Sequence, residues 1–255
     1  MKISLKKSIE TIADKGLNVF FEKAAVYIAD RCELFQRAIA LYAEYKISSL
    51  NLQEMKVGVL INFVFDKFVG LIQPAQVRSE ITSLAHLVKT LNPKIILEVG
   101  TANGGTLFLF SRLADSRAKI ISVDLPGGEF GGGYPKWKIN LYKSFSLPSQ
   151  KLYLLRENSH SVSTRKRVEE IMGTMPIDFL FIDGDHTYEG VKKDFKMYSP
   201  LVKKGGIIAF HDIAMHPPEK NCGVHKFWEE IKKEDSEEFI ENPNQKWAGI
   251  GIYRP

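Results

Sequence analysis

At 255 residues the chain has room for one large α/β domain, or one such domain with a helical extension. Its 44% hydrophobic and 25% charged residues are those of an ordinary soluble globular protein, and the net charge of +5 is small and interleaved with acids. No basic-aromatic module accompanies it, which argues against a nucleic-acid partner. Cys32 and Cys222 lie far apart and match no zinc spacing, so they read as reduced thiols. No compact apolar run precedes a small-residue cleavage site at the N-terminus. The most apolar stretch, Val57 to Pro74, is interrupted by Asn62, Asp66 and Lys67 and is too short and charged to span a membrane. A cytoplasmic protein is the expectation.

Residues 1–74 read as a helical extension, with apolar residues at helical spacing in Val19-Phe20-Ala24-Ile28 and in Leu34-Ala38-Leu41. Pro74 closes this part, and a second unit is expected over 75–255. It begins with a helix from Gln76 to Leu91, carrying Ile81, Leu84, Ala85 and Val88 on one face and stopping before Asn92-Pro93. Short apolar runs then alternate with amphipathic helices, the pattern of a parallel sheet covered on both faces. The strands expected are Ile95–Glu98, Ile120–Val123, Leu152–Leu155, Phe179–Ile182 and Ile207–Phe210. Helices are expected near Thr106–Leu113, Ser163–Met172, Gly190–Tyr198 and Val224–Lys233. The tail adds strands at about Glu238–Glu241 and Trp247–Tyr253. The fold class is therefore α/β: a doubly wound, seven-stranded, mostly parallel sheet with an N-terminal helical extension.

In Ile95-Ile96-Leu97-Glu98-Val99-Gly100-Thr101-Ala102-Asn103-Gly104-Gly105 a buried strand enters a glycine loop and then a helix. Glycines allow a sharp turn and close backbone approach, leaving helix N–H groups facing a ligand. The dinucleotide fingerprint wants glycine where Ala102 stands. Glu98, at the strand end, suits a cationic methionine moiety and would repel a pyrophosphate. Asp124 ends the next strand, placed to accept hydrogen bonds from ribose hydroxyls with either kind of cofactor.

Glu98, Gly100 and Gly104, with Thr101 in the same loop, match the E-x-G-x-x-x-G motif of class I methyltransferases. That resemblance implies the Rossmann-like methyltransferase fold and an S-adenosylmethionine pocket, with Asn158 and Ser159 where this fold usually holds the adenine. A loop turn and helix cap is the other reading of these two residues.

In Phe181-Ile182-Asp183-Gly184-Asp185-His186-Thr187-Tyr188-Glu189-Gly190, the acids Asp183 and Asp185 follow a strand, so they face the same crevice as the cofactor loop. His211-Asp212 ends the next strand. Adjacent strand ends lie ~5 Å apart, so Asp183, His211 and Asp212 can converge on one ion. Mg is the first expectation, and His211 leaves Fe or Zn open.

The blocks Phe181 to Gly190, Gly205 to Asp212 and Gly223 to Trp228 resemble the methyltransferase branch that includes cephalosporin hydroxylase-like proteins and macrolide sugar O-methyltransferases. The resemblance covers roughly residues 76 to 232. It implies metal ligands at Asp183, His211 and Asp212 and a general base at His186. The sequence departs at His211, where those relatives usually have a carboxylate. Asp183 capping the loop and His211 satisfied by a neighbour is the structural alternative. The other histidines, His86, His160, His216 and His225, read as surface or core residues.

The glycine-rich Gly127 to Trp137 reads as a lid over cofactor and acceptor, or else as a plain connector. The leading function is metal-assisted O-methylation of a hydroxyl on a sugar or other small-molecule natural product. A nucleotide-dependent oxidoreductase is disfavoured by Ala102 and by the lack of a separate substrate domain; a non-catalytic cofactor-binding scaffold is the third alternative. The N-terminal helices are expected to form a pocket wall or a homo-oligomer interface.

Overall fold

A computed structural model describes residues 32–49, 56–127 and 133–255. The helical pattern expected around Val19 to Ile28, and the centre of the expected lid, fall outside these residues.

Among the described residues, seven strands form one sheet: β1 (Ile95–Val99), β2 (Lys119–Val123), β3 (Lys151–Leu155), β4 (Ile177–Ile182), β5 (Val202–His211), β6 (Glu237–Phe239) and β7 (Ile250–Tyr253). Their order is β3-β2-β1-β4-β5-β7-β6, with β1 to β5 parallel and β7 antiparallel to both neighbours. The strand order reverses at β1, between β2 and β4. A crevice opens there beyond the carboxyl ends of the strands.

Alternation along each strand divides the core in two. Ile96, Ile120, Phe179, Phe181 and Ala209 bury against α1 (Glu33–Ser49), α2 (Val57–Asp66), α3 (Arg78–Leu91), α4 (Gly105–Leu113) and α5 (Lys138–Lys143). Ile95, Leu97, Val99, Leu180, Ile208 and Phe210 bury against α6 (Val162–Met172), α7 (Tyr188–Tyr198) and α8 (Val224–Ile231). Both faces being covered explains the nearly continuous apolar strands.

Several elements depart from the pattern. In α1 the buried residues are Ala40, Ala43 and Ile47, whereas Leu34 and Leu41 are 77% and 69% exposed. The Leu34-Ala38-Leu41 stripe is thus the outer face of that helix. Strand β5 begins at Val202, because that residue pairs with Ile177 before an irregularity in the ladder. Helix α5 has no counterpart among the expected elements; it lies just past Trp137 and buries Leu141 and Tyr142 beside α4.

The tail hairpin is fastened to α3 by a buried carboxylate. Glu80 accepts from the backbone N–H of Gly249 (2.9 Å) and Glu241 (3.0 Å) and from Gln245 Nε2 (2.6 Å). Three donors satisfy a charge that burial alone would make costly, and they hold the 241–249 segment, which includes Trp247, against the site.

Candidate active site

The crevice has a volume of about 580 Å³, within the range of small-molecule sites. Gly100, Asp124, Asn158, Ser159, Asp183, His186, His211 and Asp212, all expected from the sequence, line it. Glu98, Thr101 and Gly104 stand behind the lining and shape it.

Their supporting role is visible in the contacts. Thr101 Oγ1 donates to Glu98 Oε2 (2.7 Å) and lies 2.6 Å from Ser122 Oγ, which ties the loop to β1 and β2. Glu98 is fully buried, and its Oε1 has no hydrogen-bond partner among the described residues. Burial pushes its carboxyl up to about 8, and the charges of Asp124 and Asp183 act in the same direction. Gly104, at φ +83°, caps α4 beneath the Tyr142 ring.

Gly100 has φ +88°, and a Cβ there would sit 2.0 Å from the Asp183 carbonyl oxygen. Only glycine lets the β1 loop lie directly on the end of β4. Asp124 is buried at the end of β2 and accepts long hydrogen bonds from the N–H of Gly133 (3.4 Å) and Tyr134 (3.3 Å). Burial raises its carboxyl above the ordinary value, with these amides opposing. Asn158 is exposed, its Oδ1 accepting from His160 N (2.8 Å). The cap of α6 is Ser161, not Ser159.

On the other side, two acids and two histidines converge. His211 Nδ1 lies 3.0 Å from Asp183 Oδ1 and 3.4 Å from Asp212 Oδ2. His186 Nε2 lies 3.4 Å from Asp183 Oδ1, and its Nδ1 lies 3.1 Å from Asp212 Oδ2. Ligand atoms of Asp183, His186 and Asp212 fall within 4.8 Å of one another, close enough to share an ion. His211 Nε2 is buried without a partner among the described residues.

The electrostatics follow from this packing. Burial opposes charge on His211 and His186, but the facing carboxylates outweigh it: His211 is held well above its usual value and His186 is raised to about 9. Burial likewise opposes charge on Asp183 and Asp212, and the neighbouring imidazoles outweigh it, holding both acids below the ordinary range.

Four contributors carry no usable signal in the sequence or read as bland there, and a fifth, Asp185, is expected at the crevice but has another role. Gln76 Nε2 donates to Asp183 Oδ2 (2.7 Å) from the segment before α3, and no motif marks it. Trp247 reaches the crevice from the tail. His160 lines the crevice with its Nε2 3.3 Å from the buried Asp194. His216 Nε2 is 3.1 Å from Asp212 Oδ1, a pairing that the i, i+4 spacing hints at. Asp185 accepts from the N–H (2.9 Å) and hydroxyl (2.8 Å) of Thr187, whose Oγ1 caps α7 at Gly190 N. It lines the crevice but works as a turn-former.

The comparisons with known proteins agree with this geometry. Residues 97–213 match the family model Methyltransf_24, described as a methyltransferase domain. An uncharacterized protein, R132, of Acanthamoeba polyphaga mimivirus is 34% identical over 122 residues, covering 46% of this chain and 50% of that protein. The uncharacterized protein y4gI of Sinorhizobium fredii is 28% identical over 149 residues, 57% of this chain and 16% of that protein. The chain thus spans half or less of the curated relatives it matches.

Among solved structures, CalS11, described as a TDP-rhamnose 3'-O-methyltransferase of calicheamicin biosynthesis, superimposes with TM-score 0.53 at 16% identity, covering 84% of this chain and 92% of that one. The O-methyltransferase TomG of Streptomyces achromogenes, solved with S-adenosylmethionine, gives 0.51 at 15% identity over 82% and 93%. An O-methyltransferase of Bacillus cereus, solved with S-adenosylhomocysteine, gives 0.51 at 14% over 90% and 96%. Residues 97–213 thus match a methyltransferase domain, and the strand order and the glycine loop of β1 agree with that likeness.

Proposed function

We propose that this chain methylates a hydroxyl group of a sugar or similarly polyhydroxylated small molecule, using S-adenosylmethionine and a divalent metal. The observation that carries the reading is the Asp183–His186–His211–Asp212 cluster, in one crevice with the Gly100 loop and Asp124. The likeness in fold to CalS11, a TDP-rhamnose 3'-O-methyltransferase, supports a sugar acceptor.

When bound, S-adenosylmethionine supplies an electrophilic methyl group on a sulfonium. Gly100, Ala102 and Asp124 would form its wall, with Asn158 and Ser159 toward the adenine. Methyl transfer is an in-line displacement, so the protein's work is to orient the acceptor and take its proton. The donor set fits a cation: ligand atoms of Asp183, His186 and Asp212 lie within 4.8 Å of one another, and His211 Nδ1 adds a further nitrogen 3.0 Å from Asp183 Oδ1. Asp183 and Asp212 would hold it with His211; it would lower the pKa of an acceptor hydroxyl. His186, the more exposed histidine, would take the proton once a cation on Asp183 and Asp212 offsets the carboxylate charge that otherwise keeps its imidazole protonated.

A metal-free reading is favoured by one observation: His211 Nδ1 sits between both carboxylates, so an imidazolium can neutralise them itself. One experiment separates the two. Isothermal titration with S-adenosylmethionine, then turnover on nucleotide sugars with Mg, Mn or chelator, should show cofactor binding in every case and turnover only with metal. Full turnover in chelator would select the imidazolium reading. No binding of S-adenosylmethionine would overturn the function.

A further inference from the structure

Beyond β5 the chain leaves Asp212, loops outward and returns to α8 at Gly223. The loop carries His216 and Cys222, which belong to neither the cofactor wall nor the four-residue cluster. Ligand atoms of Asp212, His216 and Cys222 lie within 4.8 Å of one another.

His216 is oriented as a ligand would be. Its Nδ1 is 2.8 Å from the Ala214 carbonyl, which can only accept, so Nδ1 carries a proton. A backbone carbonyl holding one ring nitrogen is the usual way a metal-binding histidine is fixed. Its Nε2 then faces Asp212 Oδ1 at 3.1 Å, with both side chains nearly buried. A lone pair pointed at a carboxylate is repulsive unless a proton or a cation lies between. Either would answer that repulsion, and the Cys222 sulfur, within 4.8 Å of both, completes a donor set that a soft cation can occupy.

We propose that Asp212, His216 and Cys222 form a second metal site, for a zinc-class transition ion, on the opposite side of Asp212 from Asp183. Thiolate, imidazole and carboxylate suit Zn²⁺ and its congeners better than Mg²⁺. One thiolate, together with a carboxylate shared with the crevice cluster, offsets most of a dication's charge, and the thiol proton is released on binding. Asp212 serves both sides because Oδ2 faces His186 and His211, whereas Oδ1 faces His216. The ion would staple the two ends of the loop to the end of β5. Gly223, next to Cys222, donates from its N–H to the His186 carbonyl (2.7 Å), so the staple also steadies His186. The site stands on its own ligands, whatever reaction the crevice performs.

Co²⁺ is the probe, because a cobalt–thiolate bond gives a charge-transfer band in the near ultraviolet. The chelator-dialysed 255-residue chain should develop that band up to about one equivalent, and Zn²⁺ should abolish it. Cys222→Ser and His216→Ala should lose the band; Cys32→Ser and Asp183→Asn should keep it. The wild-type chain gives an independent reading that needs no variant: Zn²⁺ should slow alkylation of Cys222, measured on its peptide by mass spectrometry. No band in the wild type, a band that survives Cys222→Ser, or alkylation of Cys222 at one rate with and without Zn²⁺ would overturn the site.

Discussion

Glu98 offers a quantitative test of how the cofactor loop is held. Its carboxyl is fully buried and raised from 4.5 to about 8. Below pH 4.5 the folded and unfolded states are both protonated and the group is neutral in the balance. Between 4.5 and about 8 the unfolded chain ionises while the folded chain keeps its proton, so stability falls as pH rises. Above that the loss is complete. At about 1.4 kcal/mol for each pH unit of that interval, the loss is ~3–5 kcal/mol. Glu98→Gln removes the titration and keeps an acceptor for Thr101 Oγ1. Its amide group meets the unpartnered side of the pocket, which adds a constant offset of about 1–3 kcal/mol. The readout is therefore the slope. Urea unfolding of both proteins between about pH 5 and 9 should show the variant gaining on the wild type by ~3 kcal/mol or more, mostly above pH 5. The histidines titrate alike in both proteins and cancel. A stability difference that stays constant with pH would refute the burial argument.

Three further outcomes follow from the site. Asp124→Ala should weaken S-adenosylmethionine binding by about 1–3 kcal/mol, measured by calorimetry; unchanged affinity would remove Asp124 from the ribose. Gly100→Ala should abolish cofactor binding and lower the melting temperature, because its Cβ overlaps the Asp183 carbonyl; normal binding would mean that the loop moves freely of β4. His186→Ala should leave cofactor affinity intact while the rate falls by ~10²–10⁴, the usual worth of a general base; unimpaired turnover would leave proximity as the source of catalysis.

The strands were legible because burial on both faces leaves little room for polar residues, as in Ile95 to Val99. Their ends were legible for a related reason: a charged residue after an apolar run, as at Asp124, Asp183 and Asp212, marks where the strand leaves the core for the crevice. Position in the strand did not reveal direction. Glu98 has the place of a cofactor contact, yet its side chain turns back toward Thr101 and holds the loop from behind. Gln76 was illegible because its partner, Asp183, lies 107 residues away and an isolated amide carries no pattern. The outer stripe of α1 misleads because leucines at helical spacing mark a face without saying which way it turns. Helix α5 was hidden by the glycines before it, which point to flexibility and away from the aromatic residues that pack beneath.

The contacts to the rear of Asp183 and Asp212 bear on the selectivity of the proposed ion site. Gln76 engages Asp183 at Oδ2, leaving Oδ1 toward the crevice. His216 and the N–H of Ala248 engage Asp212 at Oδ1, leaving Oδ2. Each acid therefore offers the crevice one oxygen, and neither can chelate through both without giving up its anchor. Large cations of high coordination number, such as Ca²⁺, depend on carboxylates that bind through both oxygens and on flexible shells. A small ion satisfied by six donors, some of them water or acceptor oxygens, does not. At the proposed metal site, two anchored, single-oxygen carboxylates would thus act as a size filter, with Gln76 and His216, not the acids themselves, setting its aperture.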